Sequence, residues 1–284
     1  MLAVVILNYG MPDDTLALAS KLTAEGEVSA VVVVDNYSNG ENLRRLSSGL
    51  RDFHSSKLHF LPLEDNLGYG AGNNVGLRYA FAELKADYGL VLNPDIEILG
   101  DFSPVISKLG SPNECFIFTG RVNQHGSDHS ILLYKPWTCR TANGHADASG
   151  PLYIPGCCFG FTKGIWEAFG GFWEGYFLQF EELDYIYRYR SYYGDFPKVL
   201  VDTGIFIRHY EGATTGSSPR NASPSSDYWA ARSRIVFYRQ FHLKKTVVAI
   251  IYNGLKAVYS FTMVRPRNVV SIFRGTFDGF RAKC

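Results

Sequence analysis

Four short apolar runs recur through the N-terminal part of the chain: Ala3–Leu7, Ala30–Val34, Leu58–Leu63 and Tyr88–Leu92. They are rich in Val, Ile and Leu and do not alternate with polar residues, as expected of strands covered on both faces. The segments between them, Asp14–Glu25, Glu41–Leu50 and Gly72–Leu84, carry helical patterns. Such alternation builds a parallel sheet with helices on both faces. Ligands of these sheets bind outside the carboxyl ends of the strands. The polar residues of this chain cluster at those ends: Asn8-Tyr9, Asp35-Asn36, Glu64-Asp65-Asn66 and Asn93-Pro94-Asp95.

The later part is less regular. Glu114–Gly120 and Ile131–Tyr134 read as short strands and Arg140–Gly150 as a polar loop. Leu152–Ile154 leads into GCCFGF, where small residues permit close backbone approach. A helix is expected from Phe180 to Tyr193 with Gly194 as its stop, then a strand from Lys198 to Ile207 ending in Arg208-His209. Glu211–Ser226 is rich in Gly, Ser, Thr and Pro and reads as a loop or boundary. From Asp227 onward the chain is helical and basic.

Hydrophobic residues make up 46% of the 284 and charged residues 19%, enough for a sizeable core and too apolar for wholesale disorder. The net charge of +1 hides an asymmetry: Trp229–Cys284 carries about +10 and the remainder about −9. A basic segment of this kind suits an anionic partner. Five cysteines, with Cys157 and Cys158 adjacent and no C-x-x-C, argue against a zinc site or a disulfide framework and fit a reducing cytoplasm. The apolar start lacks a basic region and meets Asp13 and Asp14 early, so it reads as a first strand, not a signal peptide or span.

Each polar cluster has two readings. The glycine loop Asn66–Asn74, NLGYGAGNN, opens a helix, so its amides suit a phosphate or sugar; it also suits a plain turn. A dinucleotide fingerprint would follow the first strand, whereas this loop follows the third. Asp35 suits a ribose hydroxyl or base N–H, or caps the next helix. Glu181, Glu182 and Asp184 occupy a first helical turn, where acids are stabilising in any case, and Asp184–Arg188 is an ordinary i,i+4 pair. The aromatic and glycine-rich FGGFWEGYFLQ before them instead suggests carboxylates with raised pKa, as a general base requires. His209 is structural unless it returns to the pocket of Asp95.

Taken in order, the motifs VVILNYG, VVVDNYSNG, NLGYGAGNNVGLRYA, VLNPDI, GCCFGFTKGIWEAFGGFWEGYFLQFEELDYIYR and RHYEG resemble those of family 2 glycosyltransferases, most closely the branch with bacterial rhamnosyltransferases. The resemblance covers roughly the first three quarters of the chain. It implies an α/β GT-A fold, a Rossmann-like, mostly parallel mixed sheet flanked by helices, with a basic helical C-terminal extension. It implies a transferase domain over residues 1–215, with nucleotide binding in 1–100 and acceptor binding in 101–215, and a loop plus extension over 216–284. The activity implied is inverting transfer of a sugar, rhamnose favoured, from a dTDP- or UDP-linked donor to a glycan or lipid-linked acceptor. Galactosyl, glucosyl or N-acetylglucosaminyl transfer and a non-catalytic sugar-binding module are the alternatives, and no nucleic acid is expected.

By that resemblance Asn8, Tyr9, Asp35 and Asn36 meet the nucleoside, and Asn66, Gly68, Gly70, Asn73 and Asn93 the nucleotide or sugar. Asp95, in Asn93-Pro94-Asp95, stands where the family has its Asp-x-Asp motif and binds Mg2+ or Mn2+ with His209. Glu182 is the base and Glu181 the acid before it. Asn93 replaces the first acid of the metal motif, and the base is Glu where the family has Asp. In the tail, Thr246–Val264 is the most apolar stretch, but Asn253 and Lys256 interrupt it. A central Lys costs about 2.5–3.5 kcal/mol to insert, so the extension is expected to lie on an anionic inner leaflet or to pack on the core.

Overall fold

The four apolar runs form one half of the main sheet, from its β3 edge inward. The computed structural model describes residues 1–105, 108, 110–124, 126–144, 152–210 and 222–283. Strands β1 (Leu2–Asn8), β2 (Ala30–Asp35), β3 (Leu58–Pro62) and β4 (Tyr88–Leu92) pair in parallel in the order β3-β2-β1-β4. β2 is buried at every position because helices cover both of its faces. Those helices are α1 (Pro12–Ala24), α2 (Gly40–Arg51) and α3 (Tyr69–Arg78). The helix expected over Gly72–Leu84 starts earlier and divides, with a π-turn at Tyr79–Glu83 following α3.

Beyond β4 the sheet becomes mixed, continuing β11-β6-β12-β5. The members are β5 (Ile96–Ile98), β6 (Phe116–Gln124), β11 (Cys158–Thr162) and β12 (Lys198–His209), with β7 (Ser127–Asp128) paired on β6. β11 runs antiparallel to both β4 and β6, whereas β12 runs parallel to β6. Glycines make this join possible: a Cβ on Gly160 would sit 2.3 Å from the Phe118 ring. A second sheet, β10-β8-β9, is antiparallel and comprises β8 (Leu132–Lys135), β9 (Arg140–Asn143) and β10 (Leu152–Tyr153). The loop expected over Arg140–Gly150 is therefore corrected at its start: Arg140–Asn143 is an edge strand, whose exposed polar residues hide its pairing with β8. Residues 145–150, the motif end Glu211-Gly212 and the boundary expected at 215 lie outside the described residues.

Helix α4 (Lys163–Phe169) is capped by the Thr162 hydroxyl, which accepts from the Ile165 amide. Helix α5 (Glu181–Tyr193) ends at left-handed Gly194, as the sequence indicates. An aromatic cluster of Phe159, Phe161, Phe172 and Tyr185 locks α5 to β11 through edge-on contacts. The basic segment begins with α6 (Pro224–Phe241), which packs on α5: Ile235, Val236, Phe237 and Tyr238 share a core with Leu183, Tyr187 and Tyr134. Helices α7 (Thr246–Thr262) and α8 (Pro266–Arg281) follow as a hairpin.

The hairpin is inverted in polarity. Its inward side is mostly small or polar, with Asn253, Ser260, Asn268, Gly275 and Gly279 buried alongside Ile272. Its outward side carries Val247, Ile251, Leu255, Val258 and Phe261 on α7, and Val270, Phe273, Phe277 and Phe280 on α8, all exposed. Both sets follow three- and four-residue steps, so each is one continuous helix face. No helix among the described residues is long and apolar enough to cross a membrane.

The β11–α5 aromatic cluster is expected to carry a large share of the stability. Phe159→Ala should cost about 3–5 kcal/mol in urea unfolding; a loss below about 1 kcal/mol would contradict this packing account.

Candidate functional site

The carboxyl ends of β1, β2, β3 and β4 surround a cavity of about 330 Å³, lined on that side by Tyr9, Asn36, Asn66, Gly68, Asn93 and Asp95. Its opposite wall comes from further along the chain: Phe177 and Leu178 before α5, and Ser223, Ser225, Ser226 and Trp229 at the start of α6. Phe177 and Trp229 stack at 4.4 Å and 22°. A second cavity, about 500 Å³, lies between the main sheet, the small sheet and α5–α6. Tyr69, Asn93 and Leu178 line both, so the cavities meet there.

The polar floor of the first cavity is organised by side-chain amides. Asn36 Nδ2 donates to Asn66 Oδ1 (2.9 Å) and to the Gly68 carbonyl, and Asn36 Oδ1 accepts from the Leu67 amide. Asn66 Oδ1 also accepts from the Gly68 amide. Gly68 has φ +84°, and a Cβ there would lie 2.4 Å from the Phe177 carbonyl oxygen. Only glycine lets this loop meet the segment before α5.

Four expected ligand residues line neither cavity. Asp35 is fully buried: Oδ1 accepts from Asn8 Nδ2 (2.6 Å) and the Ser38 hydroxyl (2.6 Å), and Oδ2 from the Ser38 amide. Asn8 Oδ1 in turn accepts from the Met11 amide and the Thr15 hydroxyl. These two residues brace the ends of β1 and β2, where they are register partners. Gly70 serves packing, because a Cβ there would sit 3.1 Å from Glu181 Cγ. Asn73 is buried and donates to the Tyr69 carbonyl. Strand-end position alone does not tell a residue that faces the ligand from one that holds the loop.

Asp95 and His209 do come together. β5 turns the chain back after Asn93-Pro94-Asp95 and pairs antiparallel with β12, setting His209 opposite Ile96. His209 Nε2 lies 3.4 Å from Asp95 Oδ1, and the Tyr210 amide donates to the Asp95 carbonyl. Among the described residues no cluster of three or more acidic, His or Cys side chains forms a metal cage. One carboxylate and one imidazole fit a hard divalent cation that takes its remaining ligands from phosphate oxygens and water.

Glu182 faces the second cavity from the first turn of α5. The turn is entered through two consecutive left-handed non-glycine residues, Gln179 (φ 68°) and Phe180 (φ 77°). Such conformations cost of order 1–3 kcal/mol each and cluster at functional sites. They drive the carboxylate against Gly156, where a Cβ would come within 1.9 Å of Glu182 Oε1. Tyr69 closes the same corner, its hydroxyl donating to the Gly156 carbonyl at 2.7 Å.

Burial pushes the Glu182 carboxyl up to about 7, against the amides of Glu182 and Gly156, which favour the charged form. Glu181 is held well above the usual range by burial and then by Glu182, with its own amide opposing, and among the described residues no other group hydrogen-bonds its oxygens. Asp184, one turn on, is pushed up to about 6 by burial, although Arg188 Nε at 3.0 Å opposes the shift. Burial thus raises both carboxyls of the pair, Glu182 to about 7.

Tyr69 and Gly156 lie inside quoted motifs but carry no assigned role there, and Trp229 and the serines before it lie outside the motifs. Gly156 was visible only as a small residue, and Trp229 sits in the segment that reads as a basic extension.

The sign of the carboxyl shifts gives a stability test. Folded Glu182 binds a proton more tightly than unfolded Glu, so its contribution is fully present below the ordinary value of 4.5 and is lost as pH rises through about 7. Glu182→Gln should leave stability near pH 5 little changed and raise it near pH 8 by on the order of 3 kcal/mol. Equal urea midpoint shifts at both pH values would contradict the burial assignment.

No protein-family model matches the chain. It is 28% identical over 198 residues to the low-salt glycan biosynthesis hexosyltransferase Agl10 of Haloferax volcanii, covering 66% of this chain. The match spans 61% of that relative's length. Among solved structures, GalNAc-T7 with UDP, GalNAc and Mn2+ superposes with a TM-score of 0.56 at 14% identity, over 83% of this chain and 50% of that one. The mannosyltransferase PcManGT of Pyrobaculum calidifontis, with GDP-Man and Mn2+, gives 0.56 at 10% identity, over 100% and 88%. TarS 1–349 of S. aureus with UDP-GlcNAc gives 0.53 at 15%, over 99% and 81%. The fold is GT-A, and the chain is glycosyltransferase-like.

Proposed function

We propose that this protein is an inverting glycosyltransferase that moves a sugar from a nucleoside-diphosphate donor to an acceptor hydroxyl. The observation carrying this reading is the meeting of the two cavities at Asn93 and Tyr69, with Asp95 lining the first, His209 and Glu182 lining the second, and His209 Nε2 3.4 Å from Asp95 Oδ1. The first cavity takes the donor: Tyr9, Phe177 and Trp229 offer flat apolar surface to a base, and Asn36, Asn66 and the serines offer hydrogen bonds. Asp95 and His209 would hold Mg2+ or Mn2+, which when bound supplies positive charge against the diphosphate leaving group.

The second cavity takes the acceptor. Glu182 accepts the proton of the acceptor hydroxyl as that oxygen bonds to the anomeric carbon and the bond to the diphosphate breaks. A single displacement inverts the anomeric centre, and a base poised near the working pH contributes about 10²–10⁴-fold. The upward shift of Glu181, from burial and then from Glu182, disfavours a second negative charge beside Glu182. The donor sugar proposed first is rhamnose carried on dTDP or UDP, from the motif resemblance, and the acceptor a glycan or lipid-linked glycan of a surface polysaccharide.

The exposed apolar face of α7–α8 supports a peripheral seat on an anionic inner leaflet. Lys244, Arg267, Arg274, Arg281 and Lys283 are exposed in the same segment, and each basic residue near such a surface is worth about 1 kcal/mol. The protein should sediment with phosphatidylglycerol vesicles at low salt, and Phe273→Ser with Phe277→Ser should release it. Wild-type protein left in the supernatant would refute the seat.

Asp95→Ala and Glu182→Gln should each lower nucleotide-sugar turnover at least about a hundredfold. They should differ in binding: Asp95→Ala loses the Mn2+-dependent thermal upshift by nucleoside diphosphates, whereas Glu182→Gln keeps it. Near-normal turnover in either variant would remove that residue from the mechanism.

A further inference from the structure

Tyr69 lines both cavities and also reaches the residue against which the Glu182 carboxylate rests. It opens α3 directly after left-handed Gly68. Its backbone is fixed on the donor side: the amide donates to the Phe177 carbonyl at 2.8 Å, and the Phe177 ring stacks on Trp229. Its ring packs near Phe172, with centroids 6.1 Å apart. Its hydroxyl crosses to the other side and donates to the Gly156 carbonyl at 2.7 Å. One residue therefore spans the gap between the glycine loop and the Glu182 corner.

Gly156 is the mount of that corner. Its amide is one of the two that favour the charged form of Glu182. A Cβ on Gly156 would lie 1.9 Å from Glu182 Oε1 and 2.7 Å from the Tyr69 hydroxyl, so both side chains bear on the same face of one residue. A glycine has no side chain to restrict its own rotation. Backbone bonds hold its neighbours: the Pro155 carbonyl accepts from the Cys158 amide at 3.2 Å, and the Cys157 carbonyl from the Asn93 amide at 3.3 Å. The Gly156 carbonyl is held by the Tyr69 side chain instead. The titratable and charged groups around the corner are Glu181 and Asp184 on α5, Cys157 beside Gly156, Tyr153 on β10, His209 on β12 and Arg234 on α6. All of them stay in place when only the Tyr69 oxygen is removed.

We propose that Tyr69 is a positioning residue for the transfer: its hydroxyl fixes Gly156 so that the Gly156 amide meets Glu182, and its backbone ties that mount to the loop lining the donor cavity. This rests on the reading of Glu182 as the base, and it adds the residue that sets where the base stands relative to the donor. Tyr69 itself moves no proton, because its hydroxyl hydrogen is directed at a carbonyl and burial holds the phenol well above its usual range. Holding base and donor in one frame matters because a misplacement of about 1 Å can cost on the order of a hundredfold in rate.

The test is Tyr69→Phe in the full chain, which removes one oxygen and keeps the ring. Loosening an amide that favours the charged form raises the Glu182 carboxyl further. The acidic limb of kcat/KM in Mn2+ should therefore move upward by at least about half a pH unit, while the affinity for UDP, dTDP or GDP stays within about twofold. Added to Glu182→Gln, Tyr69→Phe should cost no further turnover. Urea unfolding reads the same coupling without turnover. Between pH 5 and pH 8 Tyr69→Phe should lose more stability than the wild type, because a folded carboxyl raised further loses more as pH rises through it. That excess should vanish in the Glu182→Gln background. A limb left in its wild-type place with lower rates at every pH, or an unchanged pH dependence of stability, would overturn the proposal and leave Tyr69 a packing residue. Near-normal turnover in Glu182→Gln, with the pH-dependent stability difference of Tyr69→Phe intact, would support the mount and count against the base reading alone.

Discussion

The organising constraint is the burial of two adjacent carboxyls, Glu181 and Glu182, at the start of α5. Among the described residues no cation forms an ion pair with either. Burial shifts both carboxyls upward, and two amides at Glu182 oppose the shift there. The arrangement survives because the aromatic cluster behind α5 fixes the helix to β11 and because Gln179 and Phe180 are held in left-handed conformations. Gly156 and Gly70 leave the room, one for the Glu182 carboxylate and one for the Glu181 stem. A Glu182 carboxyl raised to about 7 suits the proposed role of proton acceptor near neutral pH.

The same segment also completes the donor side. Phe177 touches the glycine loop through Gly68 and stacks on Trp229, so one short stretch before α5 closes both cavities. Helix α6 is consequently a structural part of the site. Its inner face supplies Trp229 and Arg234, and its hydrophobic residues share a core with α5. The segment after it has the opposite character, turning apolar residues outward and polar ones inward. A single basic stretch of sequence thus splits into a helix that builds the pocket and a hairpin that turns an apolar face outward.

Much of this was legible from residue pattern. The β1–β4 strands, the α5 helix with its Gly194 stop, and the placing of Asn36, Asn66, Asn93 and Asp95 at a common edge follow from periodicity and strand ends. The motif order also pointed to GT-A. What pattern could not supply were distances. Asp95 and His209 lie far apart in the chain and meet only because β5 folds back on β12. Asp35 and Asn8 look like ligands from their position, but their side chains complete each other's hydrogen bonds. Arg234 and Trp229 were hidden because net charge describes a segment and not which of its side chains turns inward.

The central claim is that Glu182 is a buried base with its pKa raised to about 7. The pH dependence of kcat/KM for nucleotide release, measured with whichever of the UDP-, dTDP- and GDP-sugars turns over in Mn2+, tests it directly. The account predicts a rate that rises with pH through an acidic limb near 7 in the wild type, and the loss of that limb in Glu182→Gln. A limb near the ordinary carboxylate range, or one that persists unchanged in Glu182→Gln, would contradict it.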